Sequence, residues 1–340
     1  MVVLFILLII INFYVIISLV MKNNILYLLI ASCVLITGCS NKTSFSSSNS
    51  SEEKESSSQT PVIRPSIPVN YQSTTPTGGD IEEKYLDNGD FAVDSCTFEA
   101  PSPMKMFTYY YPEEIKTSNK KYPVILYSTG TGVKGSTCYP LFKHWASYGF
   151  VVGANEDKGT WAGTSSNETL SYLMELNNDE NSIFYQKIDL ENIGVTGHSQ
   201  GGTSVFNVLT NVSHSDMIKT GVALSPAHEE LCDRLNWPYD LTKITQPILM
   251  MAGTKGSFEI ETVSPIDALN RMFDKITSPK CLARKTGYEH GHTSYIADGY
   301  TTAWFVWQLQ GDEEAGKAFT GEQPEIMSNE LYQDQRIDIE

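Results

Sequence analysis

Over residues 82–309, short apolar runs alternate with segments in which apolar residues recur at the spacing of a helix. The apolar runs have the Val, Ile, Tyr and Phe content of strands, and the segments between them place apolar residues on one helical face. The predicted strands are residues 104–111, 122–129, 149–155, 192–196, 220–224, 247–252 and 281–286. The predicted helices are residues 139–148, 168–177, 202–210, 265–276 and 300–309. This alternation predicts an α/β fold with a mostly parallel central sheet flanked by helices.

The first 38 residues are almost wholly apolar, and Lys22 is their one charged residue. This pattern predicts an export signal whose true start is either Met1 or Met21. It ends in Ile-Thr-Gly-Cys at residues 36–39, which resembles a bacterial lipobox. The resemblance implies a lipid-modified Cys39 and a protein held at the extracytoplasmic face of the cell membrane. The alternative is one or two transmembrane helices, since about 20 apolar residues can span a bilayer.

Residues 39–80 are rich in Ser, Thr, Asn and Pro, with a short Glu/Lys run at 52–55. Such a composition buries too little apolar surface to order itself. We therefore expect a flexible tether over residues 39–80 that follows the lipid-modified cysteine. The domain that contains the predicted sheet is expected over residues 81–340.

The charge of the chain narrows the classes of partner. It contains 40 acidic and 24 basic residues, a net charge of −16, and removing residues 1–38 makes this −17. So acidic a surface, without a Lys/Arg cluster, disfavours nucleic acid as a partner. No Cys or His spacing indicates a metal site, and we expect no cofactor.

Four cysteines remain after the export segment and Cys39 are set aside. They are Cys96, Cys138, Cys232 and Cys281. An even number of cysteines in an exported protein indicates disulfides, and three pairings exist. We favour Cys96 with Cys138 and Cys232 with Cys281, and isolated buried thiols are the alternative.

Residues 197–201, Gly-His-Ser-Gln-Gly, match the G-x-S-x-G motif and lie between a predicted strand and a predicted helix. Small residues beside Ser199 allow a strained turn that lifts its hydroxyl above the edge of the sheet. The N-terminus of the following helix favours negative charge at this place. Ser199 is therefore the candidate nucleophile of a serine hydrolase.

With GHSQGG at 197–202 and HWASYGFVV at 144–152, the chain resembles the α/β-hydrolases, within them the dienelactone-hydrolase and cutinase-like polyester hydrolase branch. The resemblance covers about residues 90–315. It implies an oxyanion hole made of the backbone N–H groups of Gln200 and Thr131. It also implies the chain order nucleophile, acid, histidine.

Two histidines and several carboxylates remain as partners for the serine. His290 and His292 both follow the last predicted strand, and His290 is favoured because it matches the family's Gly-x-x-His spacing. The family's aspartate directly after strand 247–252 is missing. By its place before Pro265, Glu261 is the expected acid. The rival acids are Glu259, Asp267 and Asp298.

Only a short segment separates the strands ending at Leu224 and beginning at Pro247, so no large lid and an open groove are expected. Small or polymeric esters would fit such a groove, and Trp161 is expected to form one wall. The predicted function is a carboxylic ester hydrolase acting through an acyl-enzyme. The alternatives are a serine peptidase or acyltransferase on the same fold, and a catalytically silent binding lipoprotein.

Overall fold

A computed structural model of the chain describes residues 67–339, in which nine strands form one sheet in the order β1-β2-β4-β3-β5-β6-β7-β8-β9. The strands are β1 (Val93–Glu99), β2 (Met106–Pro112), β3 (Tyr122–Ser128), β4 (Val151–Asn155), β5 (Ile188–His198), β6 (Ile218–Leu224), β7 (Ile248–Lys255), β8 (Lys280–Glu289) and β9 (Tyr332–Asp338). The six neighbouring strands β4, β3, β5, β6, β7 and β8 are parallel to one another. Strands β1, β2 and β9 pair antiparallel at the two edges.

Helices cover both faces of the sheet. They are α1 (Asp80–Leu86), α2 (Tyr139–Ser147), α3 (Thr164–Asn178), α4 (Gln200–Thr210), α5 (Glu229–Leu235), α6 (Ile266–Lys275), α7 (Thr293–Ile296), α8 (Asp298–Gln310), α9 (Glu313–Gly316) and α10 (Glu325–Ser328). Helices α2 and α8 bury Trp145 and Trp304 in one apolar cluster, and α3 and α4 bury Leu170 and Phe206 in the cluster on the opposite face. The predicted α/β-hydrolase fold is confirmed.

The connection between β6 and β7 is short. Residues 225–247 contain helix α5 and one 3₁₀ turn, Leu241–Lys243. In this part of the described chain there is no lid domain, in agreement with the sequence-based expectation. The carboxyl ends of the parallel strands, where this fold class places its sites, are therefore not covered from this side.

The two edge strands β1 and β9 were not predicted. Their sequences, Val-Asp-Ser-Cys-Thr-Phe-Glu and Tyr-Gln-Asp-Gln-Arg-Ile-Asp, are mostly polar, and few of their side chains are buried. An edge strand needs fewer apolar residues than a central one, and charged side chains protect its free edge. Hydrophobic patterning therefore identified the centre of the sheet and missed its borders.

The ordered domain begins earlier than predicted. Tyr71 is fully buried, and its hydroxyl donates a hydrogen bond to the carboxylate of Asp298 in α8. A buried ion pair between Glu82 and Lys285 also joins α1 to strand β8. The expected boundary at residues 80 and 81 is therefore wrong. The sequence around Tyr71 is mostly polar, and composition alone did not indicate that this one aromatic side chain packs into the core.

The expected disulfides do not form, since all four cysteines are free thiols. Cys96 packs against the apolar cluster on one face of the sheet, and Cys138 lies in the cluster on the other face. Cys232 belongs to a third small cluster near Val263, whereas Cys281 is buried within strand β8. The partners of each predicted pair are thus separated within the core. Burial also raises the pKa of Cys138 to about 11, so this thiol stays protonated.

The predicted export segment and Cys39 lie outside the described residues, so lipid attachment stays a prediction. Within residues 67–339, no helix has both the length and the apolar character needed to cross a bilayer.

Candidate active site

Ser199 lies in a sharp turn between strand β5 and helix α4. Its backbone has φ 61° and ψ −119°, a left-handed conformation that a residue with a side chain rarely adopts. The amide of Ser199 donates to the carbonyl of Leu224 at 2.9 Å, which ties the turn to the end of β6. The side chain is half-buried. These are the features of a nucleophile elbow.

The glycines of the motif are required by close backbone contacts. A Cβ on Gly197 would lie 2.5 Å from the carbonyl oxygens of Gly201 and Ser128, and a Cβ on Gly201 would lie 2.0 Å from that of Ser128. No side chain fits at these distances. Strand β5 can therefore turn directly into α4 only with glycine at both positions.

His290 follows strand β8 and pairs with a buried glutamate. Its Nδ1–H donates to Glu259 Oε2 at 2.6 Å. The other carboxylate oxygen, Oε1, accepts from the Ser225 hydroxyl at 2.7 Å and from the Gly253 amide at 2.6 Å. Burial by itself raises the pKa of Glu259, but these hydrogen bonds outweigh it and hold the pKa below its usual value. The glutamate therefore stays ionised beside the imidazole.

The second nitrogen of His290 is free to act. Nε2 is buried and has no hydrogen-bond partner among residues 67–339. Since Nδ1 carries the proton that Glu259 accepts, Nε2 of the neutral ring is the basic nitrogen. An imidazole in this arrangement can take a proton from a nearby hydroxyl.

His198, next to the serine, connects the elbow to the histidine loop. Its Nε2–H donates to the carbonyl of His290 at 2.7 Å, and the two rings lie 4.6 Å apart between centroids. Desolvation and the neighbouring His290 lower the pKa of His198 to about 3, so this ring is neutral at ordinary pH. The contact brings the loop of His290 against the residue that precedes Ser199.

Two backbone N–H groups close to Ser199 have no hydrogen-bond acceptor among the described residues. The amides of Thr131 and Gln200 donate no hydrogen bond to any other residue in the described range. Gln200 is the first residue of α4. Thr131 follows Gly130, and a Cβ added to Gly130 would lie 3.4 Å from Ser199 Cβ. An oxyanion hole requires two such N–H groups, without a protein acceptor, near the nucleophile.

Comparison with known proteins assigns the family. Residues 71–305 match the PET hydrolase-like family (PETase), which is well over half of the chain. The chain belongs to the PET hydrolase-like family. This confirms the predicted resemblance to the cutinase-like polyester hydrolase branch.

Curated relatives of this PET hydrolase-like chain are cutinases of Thermobifida. Cutinase est1 of Thermobifida alba is 29% identical over 172 residues, covering 49% of this chain and 50% of that cutinase. Cutinase est2 of the same organism is 29% identical over 209 residues, covering 58% and 62%. Cutinase 2 of Thermobifida cellulosilytica is 28% identical over 165 residues, covering 47% and 54%. The chain thus spans about half the length of the first of these relatives.

Glu261 does not contact His290, and this part of the sequence-based prediction is wrong. Glu261 is exposed, whereas Glu259, the rival two residues earlier, is fully buried and bonded to the imidazole. The cause is local: residues Phe258–Val263 form a π-helical turn after β7. A wider turn of this kind changes which residue faces inward. Counting back from Pro265 therefore selected the wrong glutamate.

The other rivals in this PET hydrolase-like chain have different partners. His292 lies against the rings of Tyr288 and Tyr295 and has no carboxylate partner among the described residues. Asp298 pairs with His144 Nδ1 at 2.6 Å, buried on the far face of the sheet. The rival acid Asp267 is exposed at the start of α6.

Trp161 is half-buried in the loop between β4 and α3, and its carbonyl accepts from Asn207 Nδ2 at 2.9 Å. Its role as a groove wall stays a prediction. Sequence reasoning missed Ser225, which has φ 42° and contacts Glu259 from the end of β6. A serine after a buried strand gave no signal that it would meet a residue 34 positions later.

Proposed function

We propose that the protein is a serine carboxylic ester hydrolase in which Ser199, His290 and Glu259 form the catalytic triad. The observation that carries this proposal is the buried His290, with Nδ1 held by Glu259 and Nε2 unpaired, beside a strained serine elbow. Membership of the PET hydrolase-like family supports it independently. The Ser-His-acid arrangement is recognised by such roles rather than by sequence position.

In the proposed mechanism, Ser199 Oγ attacks the acyl carbonyl while His290 Nε2 takes its proton. The amides of Gln200 and Thr131 stabilise the oxyanion of the tetrahedral intermediate. His290 then gives the proton to the leaving alcohol, and an acyl-enzyme on Ser199 remains. Water, deprotonated by the same nitrogen, attacks this ester and releases the acid. Glu259 stays ionised throughout and stabilises the imidazolium.

The surroundings of His290 support an apolar ester as the substrate. The ring of Phe258 packs edge-on against His290, 4.9 Å away between centroids, and is 41% exposed. Ile260, on the same turn, is 36% exposed. Apolar side chains this exposed next to a buried polar pair are suited to bind an apolar group of a ligand. Small acyl esters and polyester chains both carry such groups.

A panel of substrates tests this function against its rivals. Purified protein is assayed with p-nitrophenyl esters of graded acyl length, an aliphatic polyester film, a peptide amide and an ester with an added alcohol acceptor. Ester turnover that exceeds amide turnover by orders of magnitude supports the proposal. Faster peptide cleavage would indicate a peptidase, transfer to the acceptor an acyltransferase, and no turnover a binding protein.

Glu259→Gln is expected to lower kcat for p-nitrophenyl acetate by about 10⁴-fold, as loss of the triad carboxylate does in serine proteases. Glutamine keeps the volume, but its amide cannot hold the Nδ1–H tautomer of His290 or stabilise the imidazolium. Glu261→Gln, the matched control on the same turn, should retain activity within about twofold because Glu261 is exposed. Equal losses in the two variants would contradict the assignment of the acid.

We also propose that Cys39 is lipidated and anchors the enzyme at the extracytoplasmic face of the membrane. This proposal rests on the sequence of residues 21–39. Cys39→Ser is expected to move most of the protein from the membrane fraction to the soluble fraction. Retention of the variant in the membrane, measured by immunoblotting of both fractions, would instead favour a spanning helix.

A further inference from the structure

Thr160 makes two short hydrogen bonds that reach both sides of the proposed oxyanion hole. Its backbone N–H donates to the Gln200 side-chain oxygen Oε1 at 2.7 Å. Its hydroxyl donates to the carbonyl of Thr129 at 2.6 Å. Thr160 is 2% exposed, so water does not compete for these groups. The hydroxyl and the backbone amide of Thr160 thus connect Gln200 with the loop that carries Thr131.

Further bonds join the loop of Thr160, which follows β4, to the loop of Thr131, which follows β3. The Thr129 hydroxyl donates to the carbonyl of Asp157 at 2.7 Å, and the Gly132 amide donates to the carbonyl of Lys158 at 3.1 Å. These bonds flank Thr131 on both sides in sequence. The amide of Thr131, which donates to no described residue, is therefore held in place by its neighbours.

The positions of the two oxyanion donors relative to each other depend on such contacts, because they come from different elements. Gln200 begins α4, whereas Thr131 lies in a loop and is exposed. An oxyanion hole is effective only when both N–H groups are fixed before the charge develops. A displacement of about 1 Å in a catalytic group can cost on the order of 100-fold in rate.

We propose that Thr160 is a positioning residue that sets the distance between the two N–H donors of the oxyanion hole. It does not contact the reacting atoms. It acts through the Gln200 side chain and the Thr129 carbonyl, and this inference rests on the proposed function. Its loss should weaken binding of the transition state and leave binding of the ground-state ester nearly unchanged.

The test compares Thr160→Val, which removes the hydroxyl at nearly constant volume, with Thr160→Ser, which keeps it. Thr301→Val is the matched control, since Thr301 lies in α8, is equally buried and donates its hydroxyl hydrogen bond to the carbonyl of Ala297, the residue before this helix. For each purified full-length protein, kcat and KM for p-nitrophenyl acetate and Ki for a trifluoromethyl ketone are measured. The ketone forms a tetrahedral adduct and so reports on the oxyanion hole.

Thr160→Val is expected to lower kcat about 10- to 100-fold and to raise Ki by a similar factor, with KM changed less than about threefold. Thr160→Ser and Thr301→Val should both keep kcat within about threefold of the parent. A folded Thr160→Val with normal kcat and Ki would overturn the inference. So would a Thr160→Ser as inactive as the valine variant.

If Thr160→Val does not fold, Gln200→Met tests the other bond, because it removes the acceptor for the Thr160 amide. The same fall in kcat with constant KM is expected, and normal kinetics would overturn the inference. A parent protein that neither hydrolyses the ester nor reacts with a fluorophosphonate would refute the proposed function and the inference together. An active parent with normal variants refutes the inference alone.

Discussion

Ser199→Ala is expected to reduce kcat for p-nitrophenyl acetate by on the order of 10⁶-fold, the loss measured when a serine hydrolase loses its nucleophile. Without the Oγ no acyl-enzyme forms, and the oxyanion amides can accelerate only direct attack by water. The fold should be kept, because alanine has the smaller side chain and the strained backbone is fixed by the hydrogen bond from the Ser199 amide to Leu224.

Thermal unfolding followed by circular dichroism is the control for this variant. A melting temperature close to that of the parent, with activity lost, assigns the effect to chemistry. If the alanine variant retained more than about one per cent of parental kcat, the nucleophile would have to be another group.

His290→Ala is expected to cost about as much as Ser199→Ala, again on the order of 10⁶-fold in kcat, because the serine is a poor nucleophile without its base. His292→Ala should change kcat less than about tenfold, since the ring of His292 contacts tyrosines and no described carboxylate. Steady-state turnover of both variants, measured at saturating ester, separates the two histidines.

The double variant Ser199→Ala/His290→Ala supplies a further check. When two residues act together in one catalytic step, removing the second after the first lowers kcat little further. The double variant should therefore be no slower than either single variant. Additive losses, or equal losses for His290→Ala and His292→Ala, would contradict the pairing of Ser199 with His290.

The sheet and the strained turn at Ser199 could be predicted because their signals are local. The parallel strands are buried on both faces and therefore read as apolar runs, and the elbow is contained in five successive residues, 197–201. His290 was favoured because it follows the last parallel strand at the family spacing. Each of these features depends on neighbours in the chain and on few contacts from elsewhere.

Glu261 was expected to contact His290 in place of Glu259 because spacing along the sequence does not report the backbone geometry of the turn that carries both glutamates. The π-helical turn at 258–263 directs Glu259 inward and leaves Glu261 exposed. Ser225 and Gly253 then hold the carboxylate from two other strands. Contacts of this kind are set by tertiary packing, and a single sequence carries no record of them.

The disulfide prediction failed for a related reason. An even number of cysteines in a chain with an export segment indicates bridges, but it does not tell which face of the sheet each sulfur occupies. Cys96 and Cys138 lie on opposite faces. In the same way, Tyr71 could not be recognised as part of the core, because its anchor, Asp298, lies 227 residues later.

We propose above all that Ser199 is the nucleophile and that His290 activates it. This proposal is tested most directly by treating the full-length protein with a fluorophosphonate and locating the adduct by mass spectrometry of its peptides. We expect one adduct, on Ser199, whose formation is slowed by orders of magnitude in His290→Ala and hardly changed in His292→Ala. An adduct on another residue, no adduct at all, or labelling of Ser199 that is independent of His290 would contradict it.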